Sequence, residues 1–446
     1  MSRNADHWAG LVYGGCIAIG QRDDGNDPSI ECEFPNEVGH GRRRTADVRR
    51  EDSSQHCCPH LGAGLEPSID PPTGQGSLSS DSARGVNVLL FNLRMDTADT
   101  TLGFTTAWVN ELARRCEHVD VVTLQTGEFD VEHNVRVFAL PARPGTMRAR
   151  KVAEFYRVTR RILRTAPIDV CFAHMTPHLA ALFWPMARRH NVPILLWYAH
   201  GNVPVELRIA HRLVDRCVTS TPAGFRLRSD KLFVLSQGID TEIFSPPMRV
   251  ANAYDRIAVS VGRITRRKGL DEVIDSVGAL RNGGEPTRLV IVGGPITNED
   301  KRYEAELKRR VRSLRLDELV EFRGRVRYSE IRDAYHLGGL FLNMSETGSL
   351  DKAILESMAS GCIPISRNQS FATIAEAKEF HFLVPGPGPD GVASAISRVR
   401  RLPAEERDGL RRRLRDFVEK NHSLSALIDE IVAHLSELAT KARAGR

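Results

Sequence analysis

This 446-residue chain contains no run of about eighteen apolar residues, so no segment reads as a bilayer-spanning helix. Its eight cysteines (16, 32, 57, 58, 116, 171, 217 and 362) include no C-x-x-C pair and no pairs at zinc spacing. "HCCPH" (56–60) has metal-binding residue types, but it sits in a stretch that reads as disordered, where a chance cluster is the expectation. "WAGLVYGGCIAIG" (8–20) follows an aspartate, is broken by glycines and precedes no clean cleavage site, which argues against an export signal. Together these absences point to a reducing cytoplasm. No G-x-G-x-x-G follows the first apolar strand, which weighs against a nicotinamide oxidoreductase. No D-x-D stands in the strands expected to line a cleft. Lysine is scarce as well, 9 of 62 basic residues.

Charge is unevenly spread. Residues 1–84 hold 8 Arg against 13 Asp and Glu, a net of −5, so the remaining 362 residues carry +11 and the whole chain +6. A basic body suits phosphate-bearing substrates, anionic lipid headgroups or nucleic acid, and charge alone does not choose among them. No recognised nucleic-acid-binding module accompanies it, and no nucleic-acid partner is expected.

From 21 to 84 the chain is rich in Gly, Pro, Ser and Asp without hydrophobic periodicity, which predicts a disordered extension over 1–84. Order is expected from "VNVLLFN" (86–92), a short apolar run of the buried parallel-strand type, followed by a helical pattern in "TTAWVNELARR" (105–115). "VDVVTL" (119–124), "IDVCFAH" (168–174) and "PILLWYA" (193–199) repeat the strand signature. A second series runs through "RIAVSVGR" (256–263), "RLVIVGG" (288–294), "LVEFRG" (319–324), "GLFLNMS" (339–345) and "CIPIS" (362–366). Strand and helix in alternation mean doubly wound α/β sheets. The expected organisation is one Rossmann-like domain over 85–245, a second over 246–420, and a C-terminal helix over 421–446 packing back on the first. Ligands of such sheets bind beyond the carboxyl ends of the strands, here in the cleft between the domains.

"VGRITRRKGLDEVIDSVGAL" (261–280) puts Arg263 just past a strand and Lys268 at the expected start of a helix. A strand end, a turn and a helix N-terminus make an anion site suited to a diphosphate. The rival reading is a solvated charge cluster. In the same way "AHMTPH" (173–178) ends a strand with His174, where ligand contacts concentrate, and "YAHG" (198–201) does so with His200.

The segments "VGRITRRKGLDEVIDSV", "KLFVLSQGIDTEIFSP" (231–246), "LVIVGGP" (289–295) and "DKAILESMASGCIPI" (351–365) resemble the retaining family 4 glycosyltransferases of the GT-B fold, loosely from 86 and strongly over 231–366. The resemblance implies that Arg263 and Lys268 hold the leaving diphosphate of a nucleotide sugar and that Glu356 binds its ribose. It also implies His174 near the donor sugar and Gly103, Gly262 and Arg325 beside the donor, while His200, from its place at the next strand end, is expected on the acceptor side. Gly348, Ser349 and Leu350 would offer backbone N–H groups, with Ser349 capping the helix that carries Glu356 and Gly361 ending it. The family commonly spaces two glutamates with seven residues between, and counting back from Glu356 lands on Gly348, not Glu346. The chain resembles a "GSLDK" subgroup in which Asp351 or Lys352 takes part of the missing carboxylate's role. Glu346 is expected to mark only the end of strand 339–345.

The implied activity is transfer of a hexosyl group to a glycan or lipid-linked acceptor hydroxyl, with retention and without metal or cofactor, in polysaccharide or cell-envelope synthesis. A GT-B epimerase or phosphorylase is the alternative, followed by a non-catalytic basic protein that binds nucleic acid. The basic helical stretch 143–166, with Val152, Phe155, Tyr156, Val158, Ile162 and Leu163 as its apolar members, suits either peripheral contact with an anionic membrane or packing on the sheet.

Overall fold

The computed structural model describes residues 85–140, 148–248, 254–346, 348–377 and 380–445. Residues 1–84, with the expected extension, the 8–20 stretch and the cluster at 56–60, lie outside the described residues, as do 143–147 of the basic stretch.

Strands β1 (Asn87–Met95), β2 (His118–Thr126), β3 (Val135–Ala139), β4 (Val170–His174), β5 (Ile194–Trp197), β6 (Arg216–Thr219) and β7 (Leu232–Val234) form a first sheet. It is parallel throughout, in the order β3-β2-β1-β4-β5-β6-β7. β1 shows why its sequence is one apolar run. Val88 and Leu90 enter the core on one face, and Leu89 and Phe91 enter the core on the other. On the first face lie Trp108, Val109 and Leu112 of helix α1 (Thr105–Ala113). Against the second pack helices α2 (Arg148–Thr165), α3 (Pro177–His190) and α4 (Val205–Leu213).

In α2 the apolar residues Phe155, Val158 and Ile162 are buried, with the Phe155 ring 5.5 Å from Phe91. Packing on the sheet therefore accounts for that face, and Arg157, Arg160, Arg161 and Arg164 are what the helix shows to solvent.

Strands β8 (Ile257–Val261), β9 (Arg288–Val292), β10 (Val320–Gly324), β11 (Leu340–Asn343) and β12 (Ile363–Ser366) form a second parallel sheet, ordered β10-β9-β8-β11-β12. Helix α5 (Leu270–Asn282) buries Leu270, Val273, Ile274, Val277 and Leu280, the stripe its spacing predicts. Helices α6 (Asn298–Ser313), α7 (Ile331–Tyr335), α8 (Lys352–Ala359), α9 (Gln369–Ala377), α10 (Gly388–Arg401) and α11 (Ala404–His422) complete this half.

The chain passes between the halves twice, and the two passages are paired. Ile239 N–H donates to the His422 carbonyl at 2.7 Å, and Leu424 N–H returns to the Ile239 carbonyl at 2.8 Å. Helix α12 (Leu424–Ala444) then lies on the first sheet, burying Leu427, Ile428, Ile431 and Leu435. In each sheet the strand order reverses beside its first strand, at β1/β4 and at β8/β11, and the residues leaving those strands build the site.

Candidate active site

Gly262 (φ 135°) directly follows β8 and Gly293 (φ 136°) directly follows β9, both left-handed. A Cβ on Gly293 would stand 1.8 Å from the Gly262 carbonyl oxygen, so the two turns pack backbone against backbone. A cleft of about 390 Å³, open to solvent, lies over them. Gly262, Arg263, Gly294 and Arg325 line it from the second sheet's side, and Thr100 and Thr101 line it from the first.

Arg263 reaches Asp300 through Nε (2.9 Å) and Nη2 (2.7 Å), both to Oδ2. Asp300 also forms the capping box of α6 with Thr297. Burial pushes the Asp300 carboxyl up, but the backbone N–H groups of Thr297 and Ile296 and the Arg263 guanidinium together hold it below its usual range. Arg325 donates to the Pro295 carbonyl at the rim.

Lys268 does not begin a helix. It closes a short 3₁₀ turn (Arg266–Lys268), and left-handed Gly269 (φ 59°) then precedes α5. Its Nζ bonds Asp351 Oδ2, which also accepts from Asn343 Nδ2 at 2.9 Å. Asp351 in turn caps α8 by accepting from Ala353 N–H. Capping therefore falls to Asp351 rather than Ser349, because the helix starts at Lys352, three residues beyond Ser349. The Ser349 carbonyl accepts from Asn368 Nδ2 at 2.9 Å, and Leu350 is buried. Gly361 is left-handed (φ 83°) just past the helix. Strand β11 stops at Asn343, and Glu346 beyond it is exposed, 3.5 Å from Arg367.

Glu356 is 5% exposed and accepts from Tyr335 Oη at 2.9 Å. Burial raises its carboxyl above the usual range against the Lys352 ammonium and the hydroxyls of Tyr335 and Tyr328. The Lys352 ammonium stands 3.6 Å from the Phe104 ring centroid and 5.9 Å from that of Tyr328, and burial lowers its pKa to about 8. His174, at the carboxyl end of β4, is 6% exposed and lies 4.7 Å from the Trp108 ring. Burial first, and then Lys352, push its pKa down to about 3, so the imidazole is neutral at ordinary pH. Met175 directly after it is left-handed (φ 57°), a rare state for a side-chain-bearing residue that turns the chain sharply off the strand.

Gly103 belongs to the contact between the halves. A Cβ there would meet Tyr328 Cβ at 2.4 Å, so it admits the second half's side chain rather than lying open. Gly348 comes against Ala223 of the first half, where an added Cβ would be 3.2 Å away. His200 lies nearby, its Nδ1 accepting from Asn202 N–H at 3.1 Å and its backbone N–H donating to Gly224 at 2.8 Å. Burial, Arg267 and Arg226 lower its pKa.

The structure thus gathers Arg263, Lys268, Asp351, Lys352, Glu356 and His174 at the facing strand ends. It adds Asp300, Asn343, Tyr328, Tyr335 and Phe104, which the sequence reading missed. Only Asp300 had a legible signal, as the fourth residue of the "TNED" capping box. Among the described residues no group of three or more His, Cys, Asp or Glu could hold a metal ion.

Residues 104–260 match the family described as glycosyl transferase 4-like domain, and residues 255–401 match glycosyl transferases group 1. The putative colanic acid biosynthesis glycosyltransferase WcaL of Escherichia coli K12 is 27% identical over 217 residues, 47% of this chain and 52% of WcaL. Mannosylfructose-phosphate synthase of Agrobacterium fabrum is 27% identical over 176 residues, 34% of this chain and 39% of the synthase. The chain spans about half the length, or less, of these curated relatives. Among solved structures, Anabaena HepE in complex with UDP-glucose superposes with a TM-score of 0.62 at 16% identity, covering 79% of this chain and 99% of HepE. Sucrose-phosphate synthase of Thermosynechococcus elongatus gives 0.61 at 18%, covering 81% of this chain and all of the synthase (100%). These likenesses show the fold. Sequence similarity to glycosyl transferases thus runs through residues 104–260 and 255–401, each about a third of the chain, on the two-domain GT-B framework.

Proposed function

We propose that the protein transfers a glycosyl group from a nucleoside-diphosphate sugar to an acceptor hydroxyl, with retention at the anomeric carbon and without a metal. The observation that carries this reading is the meeting of Arg263, Lys268 and the start of α8 at the strand ends, with Glu356 and His174 on either side. The transition state separates a cationic sugar from an anionic diphosphate, so groups that stabilise the leaving charge dominate the rate. Arg263, Lys268 and the backbone N–H groups opening α8 supply that charge. Glu356, fixed by Tyr335, is suited to accept from the ribose hydroxyls. His174, neutral, is a hydrogen-bonding partner for the sugar rather than a cation.

The step needs no enzyme nucleophile. The bond between the anomeric carbon and the phosphate oxygen breaks with its electron pair going to the phosphate. The acceptor oxygen then bonds the same face of the carbon, and its proton passes to the departing phosphate. That HepE is crystallised with UDP-glucose supports a nucleotide-sugar donor, and the colanic acid relatives support an envelope glycan as acceptor.

A panel of UDP-, GDP- and ADP-sugars tests the reading by thermal shift, since a ligand of the native state raises its apparent stability. One nucleotide class should raise the melting temperature, and the product's anomeric configuration, read by NMR, should match the donor's. No shift across the panel would remove the reading.

A further inference from the structure

Arg263 and Lys268, the two cations assigned to the leaving diphosphate, are each already paired with a carboxylate, while Arg325 at the rim donates to the Pro295 carbonyl. Arg263 makes two hydrogen bonds to Asp300, and Lys268 pairs with Asp351, so each meets the diphosphate with part of its charge already offset. Arg367, just past β12, is likewise bound to Glu272. Lys352 differs from these three paired cations. Among the described residues no carboxylate forms an ion pair with it, and its ammonium rests instead on the faces of Phe104 and Tyr328. Aromatic faces attract a cation more weakly than an anion does in a site shielded from water.

Lys352 is also the first residue of α8, so its side chain starts where free backbone N–H groups and the helix dipole already favour an anion. Glu356, one turn on, acts on the ammonium as a charge without forming an ion pair with it, and Tyr335 bonds one of its oxygens. The adjacent residues of "D-K" thus add one negative and one positive charge: Asp351 neutralises Lys268, and Lys352 restores the charge nearer the first domain.

We propose that Lys352 is a further catalytic residue, the cation that meets the departing diphosphate. This rests on the glycosyl-transfer reading above. As the bond between anomeric carbon and phosphate oxygen breaks, its electron pair moves onto the phosphate. The ammonium stabilises that charge without giving up a proton, and the proton of the acceptor hydroxyl goes to the phosphate oxygen. Burial lowers the pKa of Lys352 further than Glu356 and Asp240 raise it, and the arriving diphosphate would raise it again.

Calorimetry on the full chain, with UDP, GDP and ADP and with the matching nucleosides, tests the assignment in wild type, Lys352→Met and Lys352→Arg. Whichever diphosphate the wild type binds should bind about tenfold or more weakly to Lys352→Met, with nucleoside affinity unchanged. With the matching glucose donor, kcat should fall about 100-fold. Lys352→Arg should recover much of both, and its kcat/KM should persist above pH 8, where the wild type's declines. That difference isolates Lys352 from the groups facing it, namely Glu356 on its own helix, Asp240 at the crossing, His174 on β4 and Tyr328. Unchanged diphosphate affinity and kcat in Lys352→Met would overturn the proposal. So would a loss confined to donors whose sugar bears a carboxylate, tested with UDP-glucuronate against UDP-glucose. Failure of the wild type to bind any of the three diphosphates would instead remove the glycosyl-transfer reading itself.

Discussion

His174 and Glu356 are both buried ionisable groups, and burial moves them in opposite directions. A histidine with a folded pKa of about 3 binds its proton less readily than the unfolded chain does near 6.5. Its contribution to stability is therefore complete above pH 6.5 and is lost as pH falls, by roughly 2 kcal/mol at pH 5. His422, lowered to about 4 by burial at the second crossing, acts with the same sign. Melting temperatures between pH 7 and 5 should fall in the wild type and fall less steeply in His174→Asn. Glu356 is the converse case, since its raised pKa makes the ionised form costly to the fold near neutrality. Glu356→Gln keeps an acceptor for Tyr335 and removes the charge. It should melt no lower than the wild type, while its KM for the donor rises about tenfold. A concurrent loss of melting temperature would show that the carboxylate serves the fold rather than the ligand.

At the scale of elements, short turns between strand and helix carry the chemistry, and they differ in how much of them can be read from sequence. The Arg263 to Lys268 turn is visible because a β-strand, a glycine and a basic run follow one another in twenty residues. What fixes Arg263 is not visible, because Asp300 lies thirty-seven residues away and meets it only when β8 and β9 pair. The α8 start was misassigned by two residues because Ser349 and Asp351 are both good caps, and the choice depends on Lys268 and Asn343 holding Asp351 in place. The paired tyrosines of Glu356 come from a 3₁₀ turn and a one-turn helix whose sequence carries no distinguishing pattern. Backbone contact between turns gives a sharp test. Gly293→Ala would place a Cβ 1.8 Å from the Gly262 carbonyl at a left-handed φ of 136°. It should destabilise the protein by about 3 kcal/mol or more, read by denaturant unfolding. A change under about 1 kcal/mol would mean that the two turns separate easily.

For the whole molecule, most strands of both sheets were legible because they are short apolar runs bounded by polar turns. Three strands were not. β3 is a half-exposed edge, and β7 is a largely exposed edge of three residues. β6 opens with Arg216, a charge that disguises a buried strand. It is tolerated only because Glu437 (2.7 Å) and His434 (2.6 Å) of α12 receive its guanidinium. Those partners stand more than two hundred residues away in sequence. The same helix lends Leu427, Ile428, Ile431 and Leu435 to the first sheet's core, each fully buried and worth about 2 kcal/mol. Ending the chain at Ser423 should therefore remove stability comparable with that of a whole domain, and circular dichroism should show loss of the cooperative melt.

The central claim is that Lys268, beside Arg263 and the α8 start, stabilises a leaving nucleoside diphosphate. Its most direct test is the rate of nucleoside-diphosphate release from the UDP-, GDP- and ADP-sugar panel by the wild type and by Lys268→Ala, each checked for an intact melt. Release from one nucleotide class by the wild type, reduced about 100-fold or more in the variant, is the predicted result. Equal rates in the two proteins would contradict the account.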